Sequence, residues 1–368
     1  MPSGPQPIFQ LCQSNDQPWN CPVPGGLLIG LNERGGPLTG RASIGGTAPD
    51  FQYAYSINRF IGVQYQLSPD WIFEADYLGS RGNHLYTVIN RNRFAGDVTA
   101  DGVLDRLNPF FTNINYADNS AWSNYNGGTL SVRKRPSDGL GYQFNYNFGK
   151  TTSVSDAIGP GFASANSLVY YAYDLNGQKG PASFDIAHNV TFNVIWELPK
   201  LETAKPLVKG VLGGWQTSTI GVLQTGLPAT VFTNGADWNG DGTNSDLPNT
   251  PSFGTSLSGL SRSDYLSGVF RASDFPVPAP GTQGNLGRNT YRGPGYANVN
   301  FSLMKNFSLP WFGPEEARLQ LRGEFYNLFN RVNLNAQGWT TNLSSGTFGR
   351  ATTAFYPRTI QLGLRLDF

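Results

Sequence analysis

The chain has 368 residues, of which only 14% are charged and 13% are aromatic, and its formal net charge is +1. This balance gives no electrostatic case for a nucleic-acid partner, because such proteins carry a strongly basic surface. The sequence contains no run of about 18 or more apolar residues, which excludes a transmembrane helix. It leaves open a membrane β-barrel, whose strands are apolar only at alternate positions.

The N-terminal 55 residues contain no predicted strand. The first seven residues, Met1 to Pro7, have no basic start and no apolar run, so they are not a signal peptide. An outer-membrane protein needs such a leader, and we therefore expect the chain to be a fragment. We interpret residues 1–55 as an outer loop or a remnant of a truncated upstream barrel. Cys12 and Cys21 lie in this segment, and an oxidising envelope predicts a disulfide between them; the alternative is two unpaired thiols.

Residues 56–368 contain nine segments that alternate apolar and polar residues over roughly ten positions each, as barrel strands do. Segment 140–149 is the clearest, because Gln143, Asn145 and Asn147 interleave with four aromatic residues. In the sixth segment we assign the apolar face to Ile220 and Val222. A tilted strand needs about 9–11 residues to cross a bilayer. The segments are 56–67, 71–79, 123–134, 140–149, 188–198, 214–226, 296–307, 318–330 and 357–368.

The lengths of the connections between these segments also alternate. Residues 68–70 and 135–139 form tight turns, and the links near 199–213 and 308–317 are moderate. The links near 80–122, 150–187, 227–295 and 331–356 are long. Brief periplasmic turns and extended outer loops are typical of outer-membrane barrels. In a soluble β-sandwich, nothing requires the short and long loops to lie at opposite ends.

The last strand has one unbroken apolar face formed by Ile360, Leu362, Leu364, Leu366 and Phe368. Its alternation and aromatic end complete the prediction of an all-β fold. We expect an antiparallel transmembrane β-barrel in the Gram-negative outer membrane, with about nine strands of a larger barrel in residues 56–368. Nine is an odd number, which again indicates a fragment, because bacterial single-chain barrels have even counts.

The segment from Arg318 to Asn335 resembles the penultimate strand of TonB-dependent outer-membrane receptors. Glu324-Phe-Tyr-Asn-Leu-Phe-Asn330 is its most specific part. The closest likeness is to Oar-like receptors with a carboxypeptidase-regulatory-like domain, of the type found in Acidobacteria. Weaker matching pieces begin at Tyr77, Tyr125 and Gly214, in the expected order.

This resemblance implies a large barrel with an N-terminal plug, energy from the TonB complex, and import of a bulky nutrient. It also implies that the barrel-assembly machinery reads the C-terminal strand, with Leu364, Leu366 and Phe368 as the signal.

One long connection contains a pattern of oxygen-bearing side chains. Carboxylates and an amide at alternate positions before a glycine can wrap ligands around Ca²⁺. We therefore predict a calcium loop, with a polar turn whose side chains satisfy their own backbone as the alternative. Its ligands would be Asp237, Asn239, Asp241, Thr243 and Asp246.

The polar faces of the last two strands carry four charged residues, for which we predict lumen-facing ladders between the two neighbours. These residues are Arg322, Glu324, Arg365 and Asp367. An interfacial girdle of aromatic residues is predicted at the periplasmic strand ends. It comprises Trp71, Trp196, Trp215, Trp311 and Phe312.

We find no nucleophile motif and no cluster around the two histidines, so we expect no enzyme activity and no organic cofactor; an Asp185–His188 pair remains a structural option. Three functions stay open. The first is a TonB-dependent receptor that binds and imports a bulky nutrient. The second is a stand-alone or oligomeric outer-membrane barrel with a structural or adhesive role. The third is a secreted, soluble all-β binding protein.

Overall fold

The structure, a computed structural model, describes residues 42–95, 105–155, 174–234, 237–240, 245–257, 259–309 and 317–367. Its helical elements are two short α-helices, α1 (Pro206–Leu212) and α2 (Arg262–Ser267), and the 3-10 turns Ala272–Asp274 and Ala336–Gly338. In this part of the chain no helix has the length and apolar character needed to span a bilayer. The strands are β1 (Ala42–Thr47), β2 (Tyr55–Gln66), β3 (Trp71–Asn90), β4 (Phe111–Ser137), β5 (Leu140–Ser153), β6 (Gly180–Pro181), β7 (His188–Glu197), β8 (Trp215–Gln224), β9 (Pro228–Ala229), β10 (Thr233–Asn234), β11 (Ser245–Asp246), β12 (Tyr291–Arg292), β13 (Tyr296–Leu309), β14 (Ala317–Tyr326) and β15 (Thr359–Asp367).

Nine long strands form one antiparallel sheet in the order β15-β14-β13-β8-β7-β5-β4-β3-β2. Every long strand therefore pairs with the next long strand along the chain, which confirms the nine predicted segments and their order. The short strand β1 pairs in parallel with the outer part of β4, and β6 pairs with β5. Within the described residues, β2 and β15 are the two edges of the main sheet and do not pair with each other.

The connections are sorted by length, as predicted. At one end of the sheet, residues 67–70 join β2 to β3, and Asp138 and Gly139 join β4 to β5. Both residues of the second turn have positive φ, 52° and 78°, which is the backbone of a two-residue type I′ hairpin. At the opposite end, the connections after β3, β5, β8 and β14 are long.

Strands β3 and β4 extend well beyond the predicted segments 71–79 and 123–134. Their extensions pair with each other, for example Leu85 with Ala121 and Asn90 with Asn115, after irregularities in register. The fully buried Asn92 closes this extension by donating to the carbonyl oxygens of Asn108 and Phe111, at 3.1 and 2.9 Å. Residues 83–90 and 111–122 mix apolar, aromatic and polar side chains without a period of two, so the extension shows no simple alternation in the sequence.

The register gives the sheet one apolar face, which runs across neighbouring strands. One row of paired residues crosses six strands, namely Phe73, Val132, Phe144, Phe192, Gly221 and Val299. In the last pair, Leu321 lies opposite Leu364 and Leu319 opposite Leu366. Leu364 is 73% exposed. The apolar face is thus exposed along β15 and has no second protein layer there.

The assignment of Ile220 and Val222 to the apolar face is wrong. They pair with Asn300 and Asn298 of β13, so they share the polar face with these asparagines. On the apolar face, Gly221 leaves space that the ring of Phe192 fills, because an added Cβ would lie 2.2 Å from that ring. A neighbouring aromatic residue therefore supplies the apolar surface that β8 itself lacks.

A buried hydrophobic core lies in the long connections rather than against the sheet. Phe270 is at its centre, with ring centroids 4.8 Å from Tyr291, 5.2 Å from Phe275 and 5.5 Å from Trp339. Every member comes from segment 227–295 or segment 331–356, so these two connections fold as one unit, which we call the loop core. Its residues are Val231, Tyr265, Phe270, Phe275, Leu286, Tyr291, Leu334, Trp339, Phe348 and Ala351.

Replacing Phe270 by alanine should destabilise the loop core by about 3–5 kcal/mol, because the change removes a buried ring and leaves a cavity. Limited proteolysis of the folded protein should then cleave segments 227–295 and 331–356 faster. Phe329→Ala is the matched control, since Phe329 is 73% exposed and should tolerate truncation. Equal protease resistance in the Phe270 variant and the control would contradict a cooperative loop core.

Candidate functional site

In the middle of the sheet, neutral amide and hydroxyl groups on the polar face are joined by hydrogen bonds. Thr129 donates to Asn147 at 2.6 Å, and Ser131 donates to Asn145 at 2.8 Å. Asn145 in turn donates to Thr191 of β7 at 3.3 Å. These bonds link β4, β5 and β7, so the predicted alternation of Asn145 and Asn147 with aromatic residues gives β5 one polar, uncharged side.

The four charged residues predicted on the last two strands lie on this polar face. Arg322 and Glu324 form an ion pair within β14 (2.5 Å), and Arg365 and Asp367 form one within β15 (2.8 Å). The expected ladder between the two strands is wrong, because Arg322 lies opposite Gly363. Side chains two residues apart on the same face are within reach of each other, so the charges pair along each strand.

A shallow groove of about 240 Å³ runs over these two strands, lined by residues that include Gln320, Arg322, Glu324, Gln361 and Arg365. The structure therefore brings together three of the predicted lumen charges. Because each arginine is paired with an acidic residue of its own strand, the groove presents charges of both signs.

A second cleft of about 340 Å³ lies where β8 and β13 meet the long connections. Tyr296 and Gln224 form a cross-strand pair at its floor, on the polar face. The ring of Phe355, from the connection before β15, packs edge-on against Tyr296 with centroids 5.3 Å apart. Asn335 and Gln337 line the same space, and every lining residue is uncharged.

Sequence reasoning missed this cleft, although Tyr296 lies at the start of a predicted strand. Its other walls come from loop residues that show no alternation. Aromatic rings beside amide groups can contact a neutral ligand that has both apolar and hydroxyl surfaces.

The long connections are fixed to each other by two arginines, of which Arg288 is buried and Arg292 is half-buried. Arg292 forms an ion pair with Asp185, whose side chain is 1% exposed, and it also donates to the carbonyl oxygen of Gly226 at 3.1 Å. Arg288, which is 3% exposed, donates to the carbonyl oxygen of Gln178 at 3.1 Å and to the hydroxyl of Ser153 at 2.9 Å. The segment before β13 is thus clamped to the connection between β5 and β7.

This clamp overturns the suggested Asp185–His188 pair. Asp185 accepts from Arg292 and from the backbone N–H of Thr151, whereas Nδ1 of His188 lies 2.8 Å from the hydroxyl of Tyr146. The second histidine, His84, packs its ring against Tyr55 with centroids 5.6 Å apart.

The predicted calcium loop is described only in part, because Asp241 and Thr243 lie outside the described residues. The carboxylate of Asp246 accepts the backbone N–H groups of Trp238 and Asn239, and the Asn239 amide donates to Gln283 at 2.6 Å. Asp237 lies at the start of this turn. Across the described residues, no three His, Cys, Asp or Glu side chains are grouped as a metal ion would require. Calcium binding stays a prediction.

Several other predicted residues also lie outside the described ranges. They are Cys12, Cys21, Trp311, Phe312 and Phe368. Trp71, Trp196 and Trp215 lie at the short-connection ends of β3, β7 and β8, as the predicted girdle requires. Leu364 and Leu366 lie on the apolar face of β15, and their role in assembly stays a prediction.

Two tyrosines of the loop core have strongly raised pKa values. Burial, aided by the neighbouring Asp264 carboxylate, raises the pKa of Tyr265 to about 12, and burial alone raises the pKa of Tyr291 to about 12. The Tyr265 hydroxyl donates to the carbonyl oxygen of Arg292 at 2.9 Å, and the Tyr291 hydroxyl donates to that of Gly254 at 2.9 Å. Both phenols are therefore neutral when they donate these hydrogen bonds within the loop core.

Comparison with known proteins relates the chain to outer-membrane barrels. The model of a family described as "Outer membrane beta barrel domain" matches residues 5–361. Among solved structures, the outer membrane transporter YddB from Escherichia coli aligns with a TM-score of 0.47 and 10% sequence identity, over 89% of this chain and 34% of that chain. The chain thus spans about a third of that transporter's length. No match is found among curated proteins.

The raised tyrosine pKa values predict a loss of loop-core stability at alkaline pH. Each phenol has a pKa of about 12 in the folded protein and 10.0 in the unfolded chain, so folding favours the neutral phenol. The stability that the two neutral phenols contribute is therefore fully present below pH 10 and is lost as the pH rises towards about 12. Protease resistance of the long connections, measured from pH 8 to pH 12, should follow that course.

The double variant Tyr265→Phe/Tyr291→Phe is the control for this pH dependence. The loop core of this variant should be less stable at pH 8, by about 1 kcal/mol for each lost hydrogen bond. Its protease resistance should also fall less between pH 10 and pH 12. Parallel pH profiles for the variant and the natural protein would exclude these two phenols as the cause.

Proposed function

We propose that this chain, which belongs to the outer membrane beta barrel domain family, forms part of the wall of a receptor that imports a bulky nutrient. Family membership places the chain in the Gram-negative outer membrane as a mostly antiparallel barrel sheet. It thereby removes the secreted, soluble alternative. The apolar face then contacts lipid, and the polar face lines the lumen.

The cleft between the loop core and the polar face is the main structural support for this proposal. Tyr296 lies on the floor of this cleft, and Phe355 forms part of its wall. The loop core and the arginine clamp hold these walls in place, which lowers the ordering cost of binding a ligand. A ligand captured there would next meet the neutral amides of the lumen face.

The TonB-dependent, Oar-like receptor type is the finer part of this proposal. It is supported by the segment from Glu324 to Asn330, which resembles the penultimate strand of those receptors. The partners that this type requires are the TonB complex acting through an N-terminal plug, and the barrel-assembly machinery. No residue need perform covalent chemistry, since binding and plug rearrangement suffice for import.

Uptake by living cells tests the import function. Cells that lack the protein should take up fewer compounds from a panel of labelled oligosaccharides and peptides that are too large for porins. A protonophore should abolish the difference, because TonB-driven import consumes the proton gradient. Unchanged uptake of the entire panel, together with weaker attachment to surfaces, would favour the structural or adhesive role instead.

Within that assay, the double variant Tyr296→Ala/Phe355→Ala should lower uptake about tenfold, because two ligand-contacting rings are removed. Tyr356→Ala is the matched control, since Tyr356 is the next residue in the chain and is 90% exposed. The variant must reach the outer membrane at normal levels for the comparison. Equal uptake by variant and control would exclude the cleft as the ligand site.

Lipid contact of the apolar face predicts a large difference between two arginine substitutions in β15. Leu364→Arg places a charge near mid-bilayer and should destabilise the folded barrel by about 2–4 kcal/mol. Gln361→Arg places its charge on the polar face, opposite Glu324, and should have little effect. An antibody to residues 318–335 can follow the heat-modifiable band in outer membranes. That band should fade only for Leu364→Arg, and equal loss in both variants would contradict the register.

A further inference from the structure

The connection between β7 and β8 carries a helix, α1, that buries none of its own side chains. Leu207 is 78% exposed, Val208 39%, Val211 53% and Leu212 61%. At about 100° of rotation per residue, these four aliphatic residues share one side of the helix, and Lys209 lies on the other. A helix this short is not stable alone in water, so it depends on contacts with the rest of the protein or its surroundings.

Lys305 places α1 on the apolar side of the sheet. In β13, Lys305 shares its face with Leu303 and Phe307 and lies opposite Leu321 of β14. The residue is nevertheless only 5% exposed, and its ammonium donates to the carbonyl oxygens of Gly210 and Gly213, at 2.5 Å each. A cation at the C-terminal carbonyls of a helix is favourable, and here it ties the helix end to the apolar face.

Two aromatic residues complete this anchor. The indole N–H of Trp215 donates to the carbonyl oxygen of Val211 at 2.9 Å. The Lys305 ammonium lies 5.5 Å from the ring of Trp215 and 5.1 Å from the ring of Phe307, within the range of cation–π contact. The helix end is therefore fixed at the rim where the apolar face meets the short connections.

The same connection is basic. Residues 198–214 contain three lysines, Lys200, Lys205 and Lys209, and one glutamate, which gives a net charge of +2. Lys209 forms an ion pair with Glu202, and this hydrogen bond lowers the pKa of the Glu202 carboxyl. Lys200 and Lys205 are both exposed. Lysines that border an apolar helix face are typical of helices that lie at a lipid surface.

We propose that α1 lies in the headgroup layer of the periplasmic leaflet and binds anionic phospholipid. Its aliphatic side continues the apolar face of the barrel into the acyl chains, and its lysines contact the lipid phosphates. Lipid is favoured as the occupant because the helix is anchored on the apolar face itself and because its charge complements an anionic headgroup. This inference rests on the lipid contact in the proposed function and is independent of nutrient import.

Spin labels at single introduced cysteines test the depth of α1, using the full chain in vesicles of phosphatidylcholine and phosphatidylglycerol. The background carries Cys12→Ser and Cys21→Ser, and the label positions are Leu207→Cys, Glu202→Cys and Leu364→Cys. The label at position 207 should collide with oxygen in preference to a water-soluble nickel complex, as the label at 364 does, whereas the label at 202 should show the opposite preference.

The role of the lysines is tested by the motional restriction of spin-labelled phosphatidylglycerol relative to phosphatidylcholine around the label-free protein. The triple variant Lys200→Gln/Lys205→Gln/Lys209→Gln should lower this selectivity at least about twofold. Lys150→Gln/Lys179→Gln is the control, because these two exposed lysines lie towards the opposite end of the sheet.

Two results would overturn the inference while leaving the barrel in place. The first is a label at 207 that is exposed to water while the label at 364 lies in the bilayer, which would indicate a soluble partner or a bare helix. The second is unchanged lipid selectivity in the triple lysine variant. A label at 364 outside the bilayer would instead overturn the lipid contact of the apolar face, and the helix proposal with it.

Discussion

Unbroken hydrogen bonding between neighbouring long strands is the constraint on which the rest of this structure depends. Inside a bilayer, each unpaired backbone group costs several kcal/mol, so a spanning segment must pair along its full length. Because side chains alternate, a slip of one residue would move every side chain to the other face. The pairing of Leu321 with Leu364 and of Arg322 with Gly363 therefore fixes the apolar face and the lumen face together.

The boundary at the short-connection end depends on residues that are partly apolar and partly polar. Trp71 and Trp215 have large apolar rings with one N–H group, and Lys305 has a long aliphatic stem that starts on the apolar face. Lys305 is almost fully shielded from water, and two carbonyl oxygens at the end of α1 accept hydrogen bonds from its ammonium. A charge on the apolar face is thereby tolerated because a connection folds back to meet it.

At the opposite end, the long connections provide the core that the sheet cannot form. An exposed apolar face has no second layer to pack against, so the tightly buried aromatic residues collect around Phe270 instead. The Arg292–Asp185 ion pair joins this core to the connection after β5. Tyr296 and Phe355, for which a binding role is proposed, are consequently held by a packed unit, although they lie at a strand end and in a loop.

The sequence by itself determined the nine strands, the sorting of the connections and the apolar residues of the last strand, because alternation with period two is a local property. It did not determine that Ile220 faces the lumen, since that follows from pairing with Asn300. It also gave no sign that Lys305 would cap α1, or that Asp185 would bind Arg292. The partners in these two contacts lie 95 and 107 residues apart, and only the paired strands bring such distant side chains together.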